Sequence, residues 1–418
     1  MKVHIIKKKK IRKQAFIYNQ RKIGKNSLVF NKRILKIINA IILLIIYLYL
    51  NHIPSLNKNS NLLDNKLTII ESKEYKSFKE LKEKATSPFL MKILNEINII
   101  KHLFDKNIEN YKKNKNIIHL SASVNNDKNY KYVILVSIYS VLLNCNKNKT
   151  FIIYHISCSS DFNETSVDIF KSLLNKFSHN VEMIFYNMGN LFENRKNYRY
   201  SEAAYYRLVT PVFINADRLI HLDGDTLTFS DLNEMYNLDF NDNYILGIYD
   251  ILADGVDYLG LRSEIYINSG TILLNLKKLR DDNKIIEFMN LTDSNKQLNN
   301  VDQTVFNYVL HPKIGRLSSK YAMFNYEEKS DLLLYISRLR TKISLEEMEE
   351  AVKNPTIIHY VICWPKVWSA HAVSQTWVST CAQRHNCSCQ KEHDLWHSFA
   401  KQTDYYDEIS SFTGDKKY

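Results

Sequence analysis

Apolar and polar positions divide the chain into three stretches of different periodicity. From Ile37 to Leu50 the sequence IINAIILLIIYLYL is apolar but for Asn39, and residues 37–57 carry no charge. Crossing a bilayer takes roughly 20 residues, and a helix packed in a protein core would carry a polar face that this run lacks. The pattern predicts a transmembrane anchor over 37–57. A cleaved signal peptide fits less well, because 36 residues precede the run and no small-x-small site follows it. Residues 51–116 are rich in Lys, Asn and Glu, with loose helical periodicity over 71–110. That reads as a stalk or helical neck, assigned to 58–116.

From Ile117 onward short apolar runs alternate with amphipathic segments. Strands are expected at 117–124, 150–157, 181–187 and 218–223, and helices at 132–143, 163–177 and 201–209. Further on, strands are expected at 244–250, 266–276 and 356–360, with helices at 282–291 and 301–309. This alternation implies an α/β domain over 117–418 with a mostly parallel central sheet flanked by helices, and ligands then bind beyond the C-terminal strand ends. Residues 363–418 are aromatic and hold four of the six cysteines, and are expected to wrap the body. No repeat, P-loop or GxGxxG is present.

Charge changes the picture by its position. The chain has 57 Lys+Arg against 44 Asp+Glu, a net +13, yet residues 1–36 hold thirteen cations and no acid, so the remainder is balanced. A basic nucleic-acid surface would need that charge on the folded domain, so no nucleic-acid partner is expected. Cations flanking the apolar run instead set topology, with residues 1–36 as a cytoplasmic tail and the body lumenal. All six cysteines (Cys145, Cys158, Cys363, Cys381, Cys387 and Cys389) lie beyond the anchor, as do N-x-S/T sequons at Asn148, Asn163, Asn290 and Asn386. These suit an oxidising compartment, although the cysteines also fit free core thiols. The Cys387-Ser388-Cys389 pair has no second cysteine pair at zinc spacing, so disulfide or free thiol is favoured over metal. The expectation is a single-pass type II membrane protein of the Golgi or another secretory-pathway membrane.

The sharpest chemical feature is HLDGDTL, in which Asp223 and Asp225 follow an apolar strand. Two carboxylates at i, i+2 off a strand tip can share one hard divalent cation, and Gly224 between them lets phosphates approach the backbone. NNDKNY (Asn125 to Tyr130) follows the first strand and offers amides, a carboxylate and a Tyr able to stack, groups that suit uracil and ribose; an ordinary Asn-rich loop reads the same way. His359 closes a short strand, and Lys366 follows in HYVICWPKVW. An imidazole can complete a metal shell and an ammonium can neutralise a diphosphate.

Taken in order, these motifs resemble glycosyltransferase family 8, the retaining enzymes that include glycogenin and the bacterial lipopolysaccharide galactosyl- and glucosyltransferases. The resemblance covers residues 117–409. NNDKNY and LVSIYSVL look like the family's uridine loop and first helix, AAYYRL (203–208) like the segment that places an Arg, here Arg207, beside the nucleotide sugar, and HLDGDTL like the metal motif. YINSG (266–270) is similar to the sugar-binding loop, NNVDQTVFN (299–307) to the segment whose Asp and Gln flank the reacting sugar, and HYVICWPKVW to the His-plus-Lys motif. Three positions depart from the pattern: Asn125 replaces a small residue, one extra residue separates His359 from the Lys, and Val367 stands where Pro is usual.

The resemblance implies a Rossmann-like, GT-A type nucleotide-sugar-binding domain that moves a hexose, glucose or galactose, from a UDP-sugar to a glycan, glycoprotein or glycolipid acceptor. It implies Mn2+ (or Mg2+) on Asp223, Asp225 and His359. Donor contacts would come from Asn125, Asp127, Asn129, Tyr130, Arg207, Asp250, Asn268 and Lys366, and Asp302 and Gln303 would lie at the reacting carbon. Two rivals differ in class. DGDTL also looks like the nucleophile loop of haloacid-dehalogenase phosphatases, but there it opens the domain. The other rival is an inactive glycan-binding or scaffold protein on the same fold.

Overall fold

The computed structural model describes residues 73–84, 87–127, 129–193, 195, 201–250, 266–294, 298–324, 343–361, 366–369 and 390–413. The apolar run 37–50, the sequon at Asn386 and Cys363, Cys381, Cys387 and Cys389 lie outside these residues. Among the described residues, no helix is long and apolar enough to cross a membrane.

One eight-stranded sheet carries the body, in the order β1-β4-β3-β2-β5-β8-β7-β9. Its strands are β1 (Asn98–Leu103), β2 (Asn116–Val124), β3 (Thr150–Cys158), β4 (Val181–Asn187), β5 (Leu219–Leu222), β7 (Ile245–Tyr249), β8 (Ile267–Leu274) and β9 (Ile314–Arg316). The run β4-β3-β2-β5 is parallel, as the strand-helix alternation predicts. β8 runs against both β5 and β7, which makes the sheet mixed toward that side. Every residue of β3 and β8 is buried, as expected for strands covered on both faces.

Two cores lie on the two faces. Ile118, Leu120 and Ala122 of β2 pack with the helix Tyr130–Asn144, whereas Phe151, Ile153 and Ile184 share the other core with Val305 and Phe306 of the helix Val301–Leu310. The helix Gln390–Ala400 closes the first core with Trp396 and Phe399. Nearby, Tyr132 packs in tilted ring contacts with Tyr405 and Phe412, so the described end of the C-terminal segment does return onto the body.

The neck needs correcting from residue 73 onward. Helices Lys73–Lys84 and Pro88–Glu96 lead into β1, which pairs antiparallel with β4 and forms the sheet edge. Its burial is only partial, and Lys101 reaches out to Glu164 at 3.1 Å. Such a short, half-exposed edge strand has no period-2 apolar signal to set it apart from its Lys-rich surroundings. It is fixed instead by a buried polar contact, His102 to Glu182 at 2.5 Å, with Lys112 on the other oxygen of Glu182 at 2.8 Å.

A second, three-stranded sheet positions the chemistry. It joins β6 (Thr226–Thr228), β10 (Met323–Phe324) and β11 (Ile357–His359), with His359 opposite Thr226. β6 begins one residue after Asp225, so this pairing brings His359 to the carboxylates although the two are 134 residues apart.

Candidate metal and nucleotide-sugar site

Asp223, Asp225 and His359 converge, each offering a ligand atom within 4.8 Å of the others. His359 Nε2 lies 3.1 Å from Asp225 Oδ1 and 3.9 Å from Asp223 Oδ2. Local folding imposes this. The Asp223 amide donates to Gly270 O at 2.7 Å and the Tyr360 amide to Asp225 O at 2.9 Å, which ties the turn to β8 on one side and to β11 on the other. Two carboxylates and an imidazole make a donor set suited to a hard or borderline divalent cation. The space beside them depends on Gly270, because a Cβ there would lie 2.2 Å from His359 Cε1 and 2.6 Å from Asp223 Oδ2. The residues therefore fit such a cation.

Gly224 answers to a different constraint from the one its sequence suggests. A Cβ on it would meet Ile134 Cδ1 at 2.7 Å and the Tyr130 hydroxyl at 3.0 Å, so the helix packed beneath demands the glycine. Burial, and then the charges of Asp225 and Asp223, push the Tyr130 phenol well above its usual range, which keeps it neutral under the carboxylate turn.

The outer oxygens of both aspartates are held by cations. Lys366 Nζ sits 2.5 Å from Asp225 Oδ2 and donates to Tyr360 O at 3.1 Å. Arg207, itself buried, donates to Asp223 Oδ1 at 2.7 Å and to Ser269 O at 2.7 Å, and its Nε lies 3.2 Å from Asp302 Oδ2. Burial alone would raise the Asp223 pKa, but Arg207, His221 and His359 outweigh it and hold the carboxyl far below the ordinary range. Asp225 is likewise held low against its burial, by Lys366 first and His359 next. Both aspartates are thus ionised at neutral pH. For Asp302 burial wins: with the Asp223 charge adding and Arg207 opposing, it is pushed up to about 6.

A second network adjoins the first. Gln303 Nε2 donates to Asp250 Oδ2 at 2.8 Å, Asn268 Nδ2 donates to the same oxygen at 3.2 Å, and Gln303 Oε1 accepts from the Ser269 amide at 3.1 Å. Asn307 locks the helix Val301–Leu310 to β8, accepting from the Ile267 amide at 2.8 Å and donating to Ile267 O at 2.8 Å. Preceding Asp302, Val301 adopts φ 39°, a left-handed value that costs a β-branched residue on the order of 1–3 kcal/mol.

The structure therefore gathers Asp223, Asp225, His359, Lys366, Arg207, Asp302, Gln303, Asp250, Asn268 and Tyr130. The rest of the opening loop behaves differently. Asp127 is exposed and its Oδ1 accepts from the amides of Asn129 and Tyr130 at 2.9 and 3.2 Å, so it starts the following helix. Asn129 is exposed, and Asn125 is half-buried with its Oδ1 lacking a hydrogen bond among the described residues. None of the three hydrogen-bonds the carboxylate cluster among those residues. Sequence reasoning passed over His221, Ser121, Ser269 and Asn307. His221 was visible two positions before Asp223 but reads as an ordinary strand residue. Cys145 and Cys158 are buried free thiols.

The profile described as Glycosyl transferase family 8 matches residues 122–372, more than half of the chain. A putative glycosyltransferase of Haemophilus influenzae is 28% identical over 205 residues, covering 47% of this chain and 60% of its own length. The lipopolysaccharide 1,3-galactosyltransferase of Salmonella typhimurium is 24% identical over 292 residues, covering 64% of this chain and 79% of its own length. Among solved structures, a galactosyltransferase in complex with donor and acceptor sugar analogues superposes with a TM-score of 0.53 at 18% identity, covering 70% of this chain and all of that one. At that identity the likeness shows the fold, a GT-A-like α/β domain.

Proposed function

Given that the chain belongs to glycosyltransferase family 8, we propose that it transfers a hexose from a UDP-sugar to a glycan, glycoprotein or glycolipid acceptor with retention of anomeric configuration. The observation that carries this reading is the convergence of Asp223, Asp225 and His359 around the gap left by Gly270. These three residues would hold Mn2+ or Mg2+, and a cation bound there supplies positive charge against the diphosphate of the departing UDP.

Lys366, held on the Asp225 side, would supply a second positive charge toward the same leaving group. Arg207 contacts both Asp223 and Asp302, and a buried guanidinium between two carboxylates resists reorientation. Asp250 and Asn268 present oxygen and amide groups suited to sugar hydroxyls, with Gln303 and Asp302 beside them at the reacting carbon. Gln303 is a poor nucleophile, and its amide is bonded to Asp250 and Ser269. That favours a role in orienting the donor. Of glucose and galactose, the galactosyltransferase relative supports galactose as the transferred hexose.

Residues 37–50 would anchor the chain in a secretory-pathway membrane, with the catalytic body lumenal. Exposure of Asn148, Asn163 and Asn290 leaves those three sequons accessible for modification. The phosphatase reading loses ground, because five strands of the sheet precede the DGDTL turn.

The test is UDP release from UDP-glucose and UDP-galactose by the full chain in Mn2+, compared with Asp225→Ala. Metal-dependent turnover in the parent and its loss in the variant are expected. Unchanged turnover in the variant would sink the assignment.

A further inference from the structure

His221 and Ser121 lie beneath the carboxylate cluster, and none of the family motifs includes either as a functional position. His221 is the penultimate residue of β5, with the imidazole buried. Its Nδ1 is 2.9 Å from Ser121 Oγ on the neighbouring strand β2, where the two residues are in register. Its Nε2 is 3.5 Å from Asp223 Oδ1, the oxygen that also takes the Arg207 hydrogen bond. That nitrogen has no closed hydrogen bond among the described residues, and the carboxylate oxygen is the charged group within 4 Å of it.

The chemistry fixes the tautomer. A carboxylate can only accept, so the nitrogen facing Asp223 must carry the hydrogen, and Nδ1 then accepts from the Ser121 hydroxyl. The reverse tautomer would set a lone pair against a half-buried anion. A serine-to-histidine-to-carboxylate relay of this kind orients a ligand from behind, as partners of metal ligands commonly do.

We infer that His221, oriented by Ser121, is a positioning residue that holds Asp223 Oδ1 away from the cation site so that Oδ2 faces His359. This rests on the proposed metal reading of Asp223, Asp225 and His359. Arg207 donates to the same oxygen, so His221 supplies the second constraint needed to stop the carboxylate from rotating. The 3.5 Å separation leaves room for the contact to shorten when Asp223 takes up its load.

Mn2+ binding to the full-length chain, read from the electron paramagnetic resonance signal of free Mn2+, tests this without any turnover. His221→Leu keeps bulk but cannot donate, and should weaken Mn2+ by about 10- to 100-fold, the usual effect of losing such a partner. His221→Gln carries an amide donor where Nε2 lies and should stay within about threefold of the parent. Melting in EDTA should leave His221→Gln and Ser121→Ala folded. Parental affinity in His221→Leu overturns the inference. So does an equal loss in the Leu and Gln variants, because packing rather than donation would then be responsible. If His221→Leu does not fold, Ser121→Ala decides, with weakening of about threefold or more expected and parental affinity contradicting. A parent chain that binds no Mn2+ would instead remove the metal reading itself, a different failure from the ones above.

Discussion

Replacing Gly270 with alanine should damage metal binding at least as much as it damages the fold. The added Cβ would lie 2.2 Å from His359 Cε1, 2.6 Å from Asp223 Oδ2 and 2.8 Å from His359 Nε2. Carbon atoms in contact prefer about 3.5–4.0 Å, so the imidazole must retreat by roughly 1.5 Å. Metal-ligand distances tolerate only about 0.2 Å of error. One of the three protein ligands is therefore displaced, and Mn2+ affinity should fall by at least about 100-fold, or about 2.7 kcal/mol. Overpacking of the metal-free chain should cost about 1–3 kcal/mol. Gly315→Ala is the control, because its Cβ would press on Leu246 and Asn243, away from the cluster. It should lower stability and leave Mn2+ affinity alone. Free Mn2+ measured by electron paramagnetic resonance and urea unfolding in EDTA separate the two effects. Parental Mn2+ affinity in Gly270→Ala, or an equal loss in Gly315→Ala, would refute the reasoning.

Other perturbations follow from the same contacts. Arg207→Met leaves buried Asp302 and half-buried Asp223 without their cation and should cost about 3–5 kcal/mol in urea unfolding; Arg207→Lys should recover only part of this, since an ammonium cannot span three acceptors, and a silent Arg207→Met would contradict the network. Lys366→Ala should lower kcat for UDP-sugar turnover by about 10²- to 10³-fold, as for loss of one charge-stabilising donor, and a parental kcat would contradict that role. Asp302 ionises at about 6 in the folded chain and at about 3.9 when unfolded. The folded state thus holds this proton more tightly, and the stability it contributes is complete below about pH 3.9 and lost as pH rises through about 6. Asp302→Asn should flatten that part of the stability profile by up to about 3 kcal/mol, and an unchanged slope would count against the shift.

The central strands were legible because burial on both faces leaves long apolar runs, as in TFIIYHISC of β3. β1 was not, since an edge strand bearing Lys101 and His102 has neither alternation nor a continuous apolar run. β9 and β10, of three and two residues, are too short to carry any period. In the site, Asp223 and Asp225 could be paired because they share one turn. His359 and Lys366 could be added through motif order alone. Contacts between distant segments, such as Arg207 with Asp302 or Ser121 with His221, have no local signal at all. Asp127 was ambiguous for a definite reason: a carboxylate after a strand serves equally as a ligand or as the start of a helix, and here it accepts from two helix-start amides.

The central claim is that the Asp223, Asp225 and His359 cluster binds UDP-sugar through a divalent cation. Calorimetric titration of the full chain with UDP, in Mn2+ and again in EDTA, tests it most directly. Binding in Mn2+ that disappears in EDTA and in Asp225→Ala is the predicted result. Equal UDP affinity in Mn2+ and EDTA, or no binding in either, would contradict it.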